Sequence, residues 1–572
     1  MLRALLVSIA ITAAWSADAQ VDLRPVVREG DPVPALGDGV VVDRFGGLNG
    51  FGGFSPSLGN DGTVAFAVLL AGPGVNFANN EAILRGRKGE PLEVIARTGD
   101  QAPGFPPGVT LDVTGPPTIG KDGRIRFDTF VNTPTGSDRV EYITDASGRA
   151  LPYLVPPADV SHIVQGGELT STNIWTTNVR GALISSGFIR TTNPDDPTIG
   201  VVFIDDPTDG FSLVYRSDEP LPGLPANVSP QFISQGNSVL TESGHTAFRV
   251  ELSGSTVGSA NRNAIYRRLN GGPLEYIARS QDPIPGENPG VTFSFSSMDN
   301  PLLQESGELI FYSIRSGTSM PGQLARTLFS VSPSGEYGIL ATAGIAPPGT
   351  PDGEVIDQLR PLRTEPTQDG TIGVAGRFED VGDDFYALLA QDGTMRVVAF
   401  DGPALPQITP ESKLIGFRAV GLNDRGQFVF SAFVDPLPNL PRSGEAVLAT
   451  DATGSVHPLA LIGMTVDADP DPSVTDPREL RQIFDRFELN DAGDVLLWVD
   501  FTFTGQQALF LAKVPDDSCP ADTNGDGQLS PNDFNAWILA FNNQSPECDQ
   551  NGDGDCRQND FNAWILNFNA GC

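Results

Sequence analysis

The sequence predicts an all-β protein: a β-propeller of about eight four-stranded blades (seven is the alternative count) with a small α-helical module at its C-terminus. Three observations carry this. A turn glycine followed by a short apolar strand recurs about every 62 residues. A β-hairpin ending in a Gly/Pro turn keeps the same step. The two ends of the repeat region read as complementary parts of one unit.

Residues 1–19 read as a secretory signal, with Arg3 as the positive start, an apolar run from Ala4 to Ala14, and Ala17-Asp18-Ala19 before Gln20 as a small-residue cleavage site. The run is too short for a membrane span, and no later stretch qualifies. An exported chain is expected, whether extracellular, periplasmic or at the cell surface.

Residues 20–515 hold the repeat. The turn glycine and its strand appear as NDGTVAF at Gly62, KDGRIRF at Gly123, VRGALIS at Gly181 and ESGHTAF at Gly244. They return as ESGELIF at Gly307, QDGTIGV at Gly370, DRGQFVF at Gly426 and DAGDVLL at Gly493. The hairpin appears from Ala82, Ala264, Phe385 and Ala446, so a unit holds about four short strands. In residues 63–70, TVAFAVLL, both faces are apolar, as expected for a strand covered on both sides. A unit this long exceeds a β-helix rung and suits a propeller blade with generous loops. The last unit stops at ALFLAKVP (508–515), and its missing strand lies at LRPVVREGDPVP (23–34). Pairing the two closes a ring and removes the exposed sheet edges.

The turn strand resembles the NxxGxxAF tandem repeat of exported bacterial proteins that carry one of several alternative C-terminal anchors. Asn423-Asp424-Arg425-Gly426 with Val429-Phe430 is the nearest match, while the first unit keeps Gly62, Ala65 and Phe66 but has Gly59 in place of the asparagine. Unit three departs most, with Gly181 and no AF. The resemblance implies an architecture and a surface context, not a reaction.

The tail, residues 519–572 after a short linker at 516–518, carries a duplicated acidic loop. In copy one, Asp522, Asn524, Asp526, Ser530 and Asp533 occupy the oxygen-bearing positions of an EF-hand-type calcium loop, Gly527 the sharp turn, and Gln528 offers its carbonyl. Copy two supplies Asp549, Asn551, Asp553 and Asp560, with Gly554 at the turn and the Asp555 carbonyl. Arg557 replaces the ninth-position oxygen there, leaving that place to a water. Two Ca2+ sites are expected, the second weaker. Each loop leads into a helix whose stripe is Phe534, Trp537, Ile538 and Phe541, or Phe561, Trp564, Ile565 and Phe568. Ser530-Pro531 with Asp533 is a good helix start.

Loop-then-helix, duplicated and without an entering helix, resembles a dockerin module. That family implies a calcium-dependent fold docking onto a cohesin-like or other surface partner, with Pro531-Asn532 and Gln558-Asn559 at the matching partner-reading positions; they differ between the copies. All four cysteines lie in this tail. Three connectivities are possible; Cys548 before loop two and Cys556 within it are expected to pair, as are Cys519 and Cys572, which bracket the module. A zinc site is disfavoured, since the tail holds no histidine and no CxxC.

Composition excludes one class. A formal charge of −35 and a pI near 4.3 oppose nucleic-acid binding, which needs a basic footprint. The 64 glycines and 48 prolines, about a fifth of the chain, indicate turn-rich β structure rather than disorder.

The repeat region shows no nucleophile elbow, zincin motif, P-loop or dinucleotide fingerprint. His162, His245 and His457 fall in three different units; His245, in a turn strand, and His457, in a hairpin, read as structural or surface groups. Asp467, Asp469, Asp471 and Asp476 could hold a cation but read better as a solvated loop, and GGLNGFGG (46–53) as a blade-to-blade loop. Paired carboxylates remain the one open chemistry, since sequence cannot measure their separation. The leading expectation is a non-catalytic interaction protein whose propeller presents a binding face to a glycan or protein. The alternative is a propeller-type polysaccharide-active enzyme, hydrolase or lyase, attached through the same tail. A calcium sensor fits less well, because sensors open entering helices that are missing here.

Overall fold

The computed structural model describes residues 23–46 and 55–515, save for short segments (114, 121, 135, 146, 155–157, 160–166, 178–181, 192–197, 207–209, 295–300, 318–324, 347–354, 363, 380–383, 403–404, 406–407, 438–442, 451–455, 472–473 and 502–505). In the tail it describes 521, 523, 531–543, 548, 550 and 556–570. Eight antiparallel sheets of four or five strands succeed one another along the chain, each a meander whose strand order follows the sequence, except that the last takes the first strand of the chain as its outer strand. The protein is an eight-bladed β-propeller. In blades 1, 2 and 5 the innermost strand is interrupted, as in blade 1, where Val41–Phe45 and Ser57–Leu58 both pair with Val64–Ala71. A small ribbon, Thr465–Asp467 with Pro477–Glu479, sits in the connection between blades 7 and 8.

The ring closes as the chain ends predict. Arg24–Arg28 adds to Gln507–Lys513 as the outer strand of blade 8, with Arg24 opposite Leu511 and Arg28 opposite Ala508. It covers the edge of Gln507–Lys513 and becomes the outer strand of the blade in its place.

The repeat motif is a turn with a physical requirement for glycine. In the seven described copies the glycine has φ between 72° (Gly426) and 86° (Gly493). That left-handed region suits a residue without Cβ. Its N–H donates to the residue three before it, as from Gly426 to the Asn423 carbonyl at 3.0 Å. The eighth copy, at Gly181, lies outside the described residues. Turns from blades 2, 4, 5, 6 and 7 line one cavity of about 240 Å³, which places the first strand of each blade around the axis.

The asparagine of the motif does two jobs. Asn423 accepts the N–H groups of Arg425 (3.1 Å) and Gln427 (3.0 Å), fixing its own turn. Its amide then donates to the Asn490 carbonyl of the next blade at 3.0 Å. Asn490 repeats this toward the Gly59 carbonyl of blade 1 at 2.9 Å, across 431 residues of sequence. In blade 5, Gln304 reaches the Gly370 carbonyl of blade 6 at 3.0 Å. Replacing buried Asn490 with alanine leaves the Gly59 carbonyl only the Gly62 N–H and takes the side-chain acceptor from the Asp494 N–H, and should cost about 1–3 kcal/mol. A thermal melt checks this: a fall of several degrees is expected, and an unchanged midpoint would show that the amide contributes nothing to ring closure.

Side chains on the strand after each turn alternate between two seams. Phe66 packs back onto blade 8 and Ala65 forward onto blade 2. Phe248 and Ala247, Phe311 and Ile310, and Phe430 and Val429 divide in the same way. The expectation that this strand is covered on both faces is met, and seam packing supplies most of the hydrophobic drive. Blade 2 breaks the pattern, because Arg126 stands where Ala65, Ala247, Ile310 and Val429 stand elsewhere. Among the described residues the cluster at the blade 2–3 seam has only five buried members, Leu169, Ile189, Ile199, Val201 and Phe203.

Candidate functional site

The tail is the first place to look, because its residues have an assignable chemistry. Two helices are present: α1, Pro531–Asn543, and α2, Gln558–Ala570. They pack through Trp537 and Trp564, with Phe534, Phe541, Phe561 and Phe568 around them and Ala521 beneath. Each indole reaches across to the other copy. Trp537 Nε1 donates to the Cys548 carbonyl at 3.2 Å, and Trp564 Nε1 to the Ala521 carbonyl at 3.2 Å. Cys548 and Ala521 each immediately precede a loop, so the two copies are tied reciprocally as a pseudo-twofold demands.

The helical stripe needs one correction. Ile538 and Ile565, expected inside, are 39% and 37% exposed. The adjacent indoles fill the interface, and Ala540 rather than Ile538 is buried in α1. Beside the isoleucines, Leu539 and Leu566 are 63% and 69% exposed, a matched apolar pair that the stripe reasoning passed over. The repeated string FNAWIL was the available signal.

Of the expected calcium ligands, Asp533 and Asp560 lie within the described residues, and both are fully buried. Asp560 turns back into its loop. Its Oδ2 accepts the Arg557 N–H at 2.6 Å and its Oδ1 the Gln550 N–H at 3.1 Å, so one carboxylate spans the second and ninth loop positions. A buried loop-end carboxylate is one oxygen donor of the kind a hard cation takes. Asp522, Asn524, Asp526, Gln528, Ser530, Asp549, Asn551, Asp553 and Asp555 lie outside the described residues. The disulfide Cys548–Cys556 is present, with Cα atoms 5.6 Å apart. Cys519 and Cys572 lie outside the described residues.

On the propeller, the acidic loop of unit seven is neither a cation site nor simply solvated. Asp469 and Asp476 each accept from the Arg28 guanidinium at 2.7 Å, and Asp31 accepts from its Nε at 3.0 Å. Asp467 folds the loop by accepting the N–H groups of Asp469 and Asp476 at 3.2 and 2.9 Å. The cluster is a receptor for the ring-closing strand. Two of its members are carboxylates whose partner stands more than 400 residues earlier, which is why the loop read as solvated.

His245 is a structural group: its Nδ1 accepts the Asn270 N–H at 3.0 Å, and burial pushes its pKa down. His457 sits half-buried on the strand Val456–Leu461, and His162 lies outside the described residues, as does nearly all of the 46–53 glycine loop. Glu488, on the inner strand of blade 8, accepts the Leu58 N–H of blade 1 at 2.6 Å. Burial pushes its carboxyl up to about 7, opposed by that N–H and by the Ser57 hydroxyl. Ser57 Oγ in turn accepts the Ile119 N–H of blade 2 at 3.0 Å, so this carboxylate helps to stitch three blades.

A cleft of about 400 Å³ lies among blades 5, 6 and 7 and includes Arg326, Gln358, Arg360, Arg377, Asp384 and Phe417. Asp384 opens its strand directly after the connection between the second and third strands, so the cleft belongs to the face carrying the long loops rather than the tight glycine turns. Such a face is where binding groups concentrate. No sequence motif marks it, because its arginines come from separate strands of two blades.

A family model described as a family of unknown function (DUF7453) matches residues 6–385, about two thirds of the chain. No curated protein matches. Among solved structures the chain is similar to one described as the Dos1 propeller, with 9% identity and a TM-score of 0.34 over 86% of this chain and 95% of that one. An acylaminoacyl peptidase of Pyrococcus horikoshii gives 14% identity and a TM-score of 0.30, over 79% of this chain and 58% of that one. The polysaccharide lyase Uly1 gives 12% and 0.26, over 51% and 60%. At these values the likenesses carry no argument about chemistry, and the blade count stands on the strand pairing above.

Proposed function

We propose that this chain, which belongs to the family of unknown function DUF7453, is an exported, non-catalytic interaction protein. Its propeller presents a binding face, and its dockerin-like tail attaches it to a cohesin-like or other surface partner when calcium is bound. The observation that supports this most is the reciprocal build of the tail: two indole ties, two buried loop-end carboxylates and two exposed leucines at matched positions. The leucines give a partner an apolar contact on either copy. Calcium would be held by Asp522, Asn524, Asp526, Ser530 and Asp533, and by Asp549, Asn551, Asp553 and Asp560, with the Gln528 and Asp555 carbonyls. It would supply the charge that lets two acidic loops fold against one another.

Calorimetry on the full chain, after chelation, should find about two calcium sites. Chelation should lower tryptophan burial in the tail without changing the propeller melt. Asp533→Ala should remove one site and Asp560→Ala the other. A full chain that takes up no calcium would sink the tail assignment. Leu539→Asp with Leu566→Asp should leave calcium uptake intact and abolish partner capture on cohesin-bearing surfaces.

A further inference from the structure

We infer that the cleft among blades 5, 6 and 7 binds a uronate-bearing oligosaccharide. This rests on the reading of the propeller as a binding face and names the ligand class for it. The chain carries 71 acidic and 36 basic residues, so an unpaired cation is unexpected on its surface. Yet the lining of the cleft presents three guanidinium groups, Arg326, Arg360 and Arg377, against one carboxylate, Asp384, with Asp357 and Asp401 acting on Arg377 from further off. Arg377 is taken, its Nε donating to Asp384 at 2.8 Å. Arg326 and Arg360 have no carboxylate partner among the described residues. Two guanidiniums with no described carboxylate partner thus line one cavity, and the planar fork suits a bound carboxylate.

The rest of the wall narrows the class. Asp384 keeps a second oxygen that accepts hydroxyl hydrogens and repels a multiply charged phosphate. Gln358 adds an amide with both donors and an acceptor. Half-buried Phe417, tilted against Tyr386 with ring centroids 4.6 Å apart, offers an apolar face for a sugar ring. One negative charge on a hydroxylated, partly apolar ring matches the donors, acceptors and aromatic surface together. The volume suits a small ligand, for which pockets run about 300–1,000 Å³.

The test is a calorimetric titration of the full chain with a galacturonate trimer, the neutral galactose trimer, inorganic phosphate and a glutamate hexapeptide. The galacturonate trimer should bind and the other three should not, and 0.5 M salt should weaken binding several-fold. Arg326→Gln and Arg360→Gln should each weaken it tenfold or more with an unchanged melting curve. Arg360→Lys, which keeps charge but loses the fork, should fall between. Absence of galacturonate binding overturns the site, as does equal binding of the neutral trimer, phosphate or peptide, or wild-type affinity in both glutamine variants. Calcium uptake measured on the same sample separates failure of this site from failure of the attachment reading.

Discussion

Deletion of residues 20–35 should unfold the propeller as a whole, lowering its melting temperature by more than 10 °C or leaving it insoluble. The segment supplies the outer strand of blade 8 and buries Val26, Val27 and Val33 almost completely. Burying three such side chains contributes about 5–9 kcal/mol, against a total stability on the order of 5–15 kcal/mol for a typical domain. The loss also opens the edge of Gln507–Lys513 to pairing with another chain. It further strands Asp469 and Asp476, which face the Arg28 guanidinium. Arg28→Ala isolates this last part and should cost about 1–3 kcal/mol, discounted because the side chain is 26% exposed. Circular dichroism melts of both variants decide the matter. A deletion that melts like the parent, or that loses only one small transition, would show that the ring does not depend on its first strand.

What could be read from the sequence was whatever is local. Each turn glycine reports its own φ, each hairpin its own register, and the loop-end aspartates their own loop. The N-terminal strand was legible for a different reason: it repeats VIARTGDQAP (94–103) of the next unit, so its absence from the last unit was visible. Long-range partners left no such trace. Asn490 signals a turn by its type, but nothing in the sequence says that its amide reaches Gly59 in the first blade. The aspartates after residue 466 read as a solvated loop because Arg28 is so distant. The arginine cleft was equally silent, since three cations on three strands make no motif. One anomaly stood in plain view, however. Arg126 occupies a repeat position that other blades fill with small or aliphatic side chains, and only the comparison between copies reveals it.

That anomaly makes the blade 2–3 seam the alkali-sensitive joint of the propeller. Arg126, Asp128 and Glu141 share the face of blade 2 that turns toward blade 3, with Glu141 directly opposite Asp128 across the strand pair. Like charges in that arrangement destabilise a sheet. Both Arg126 and Glu141 are buried, and among the described residues Glu141 Oε2 and both Arg126 Nη atoms have no hydrogen-bond partner. Asp122 approaches Arg126 only to 3.9 Å. Burial pushes the Glu141 carboxyl up to about 8; Arg126 and Arg139 pull it down, and Asp128 and Asp205 add to the rise. In the unfolded chain the group titrates near its ordinary 4.5. Between those two values the folded state holds a proton that the unfolded state has released, so stability falls as pH rises through the window. The whole effect is on the order of 3–5 kcal/mol, fully developed above pH 8 and absent below the unfolded value. Glu141→Gln keeps the shape and removes the titration. Its melting temperature should match the parent near pH 5, exceed it by several degrees at pH 8.5, and vary less between the two. Other raised carboxyls, Glu488 among them, act in the same direction in both proteins, so the difference between the two profiles isolates Glu141. Parallel profiles for parent and variant would mean that this carboxyl is not the group that makes the seam yield to alkali.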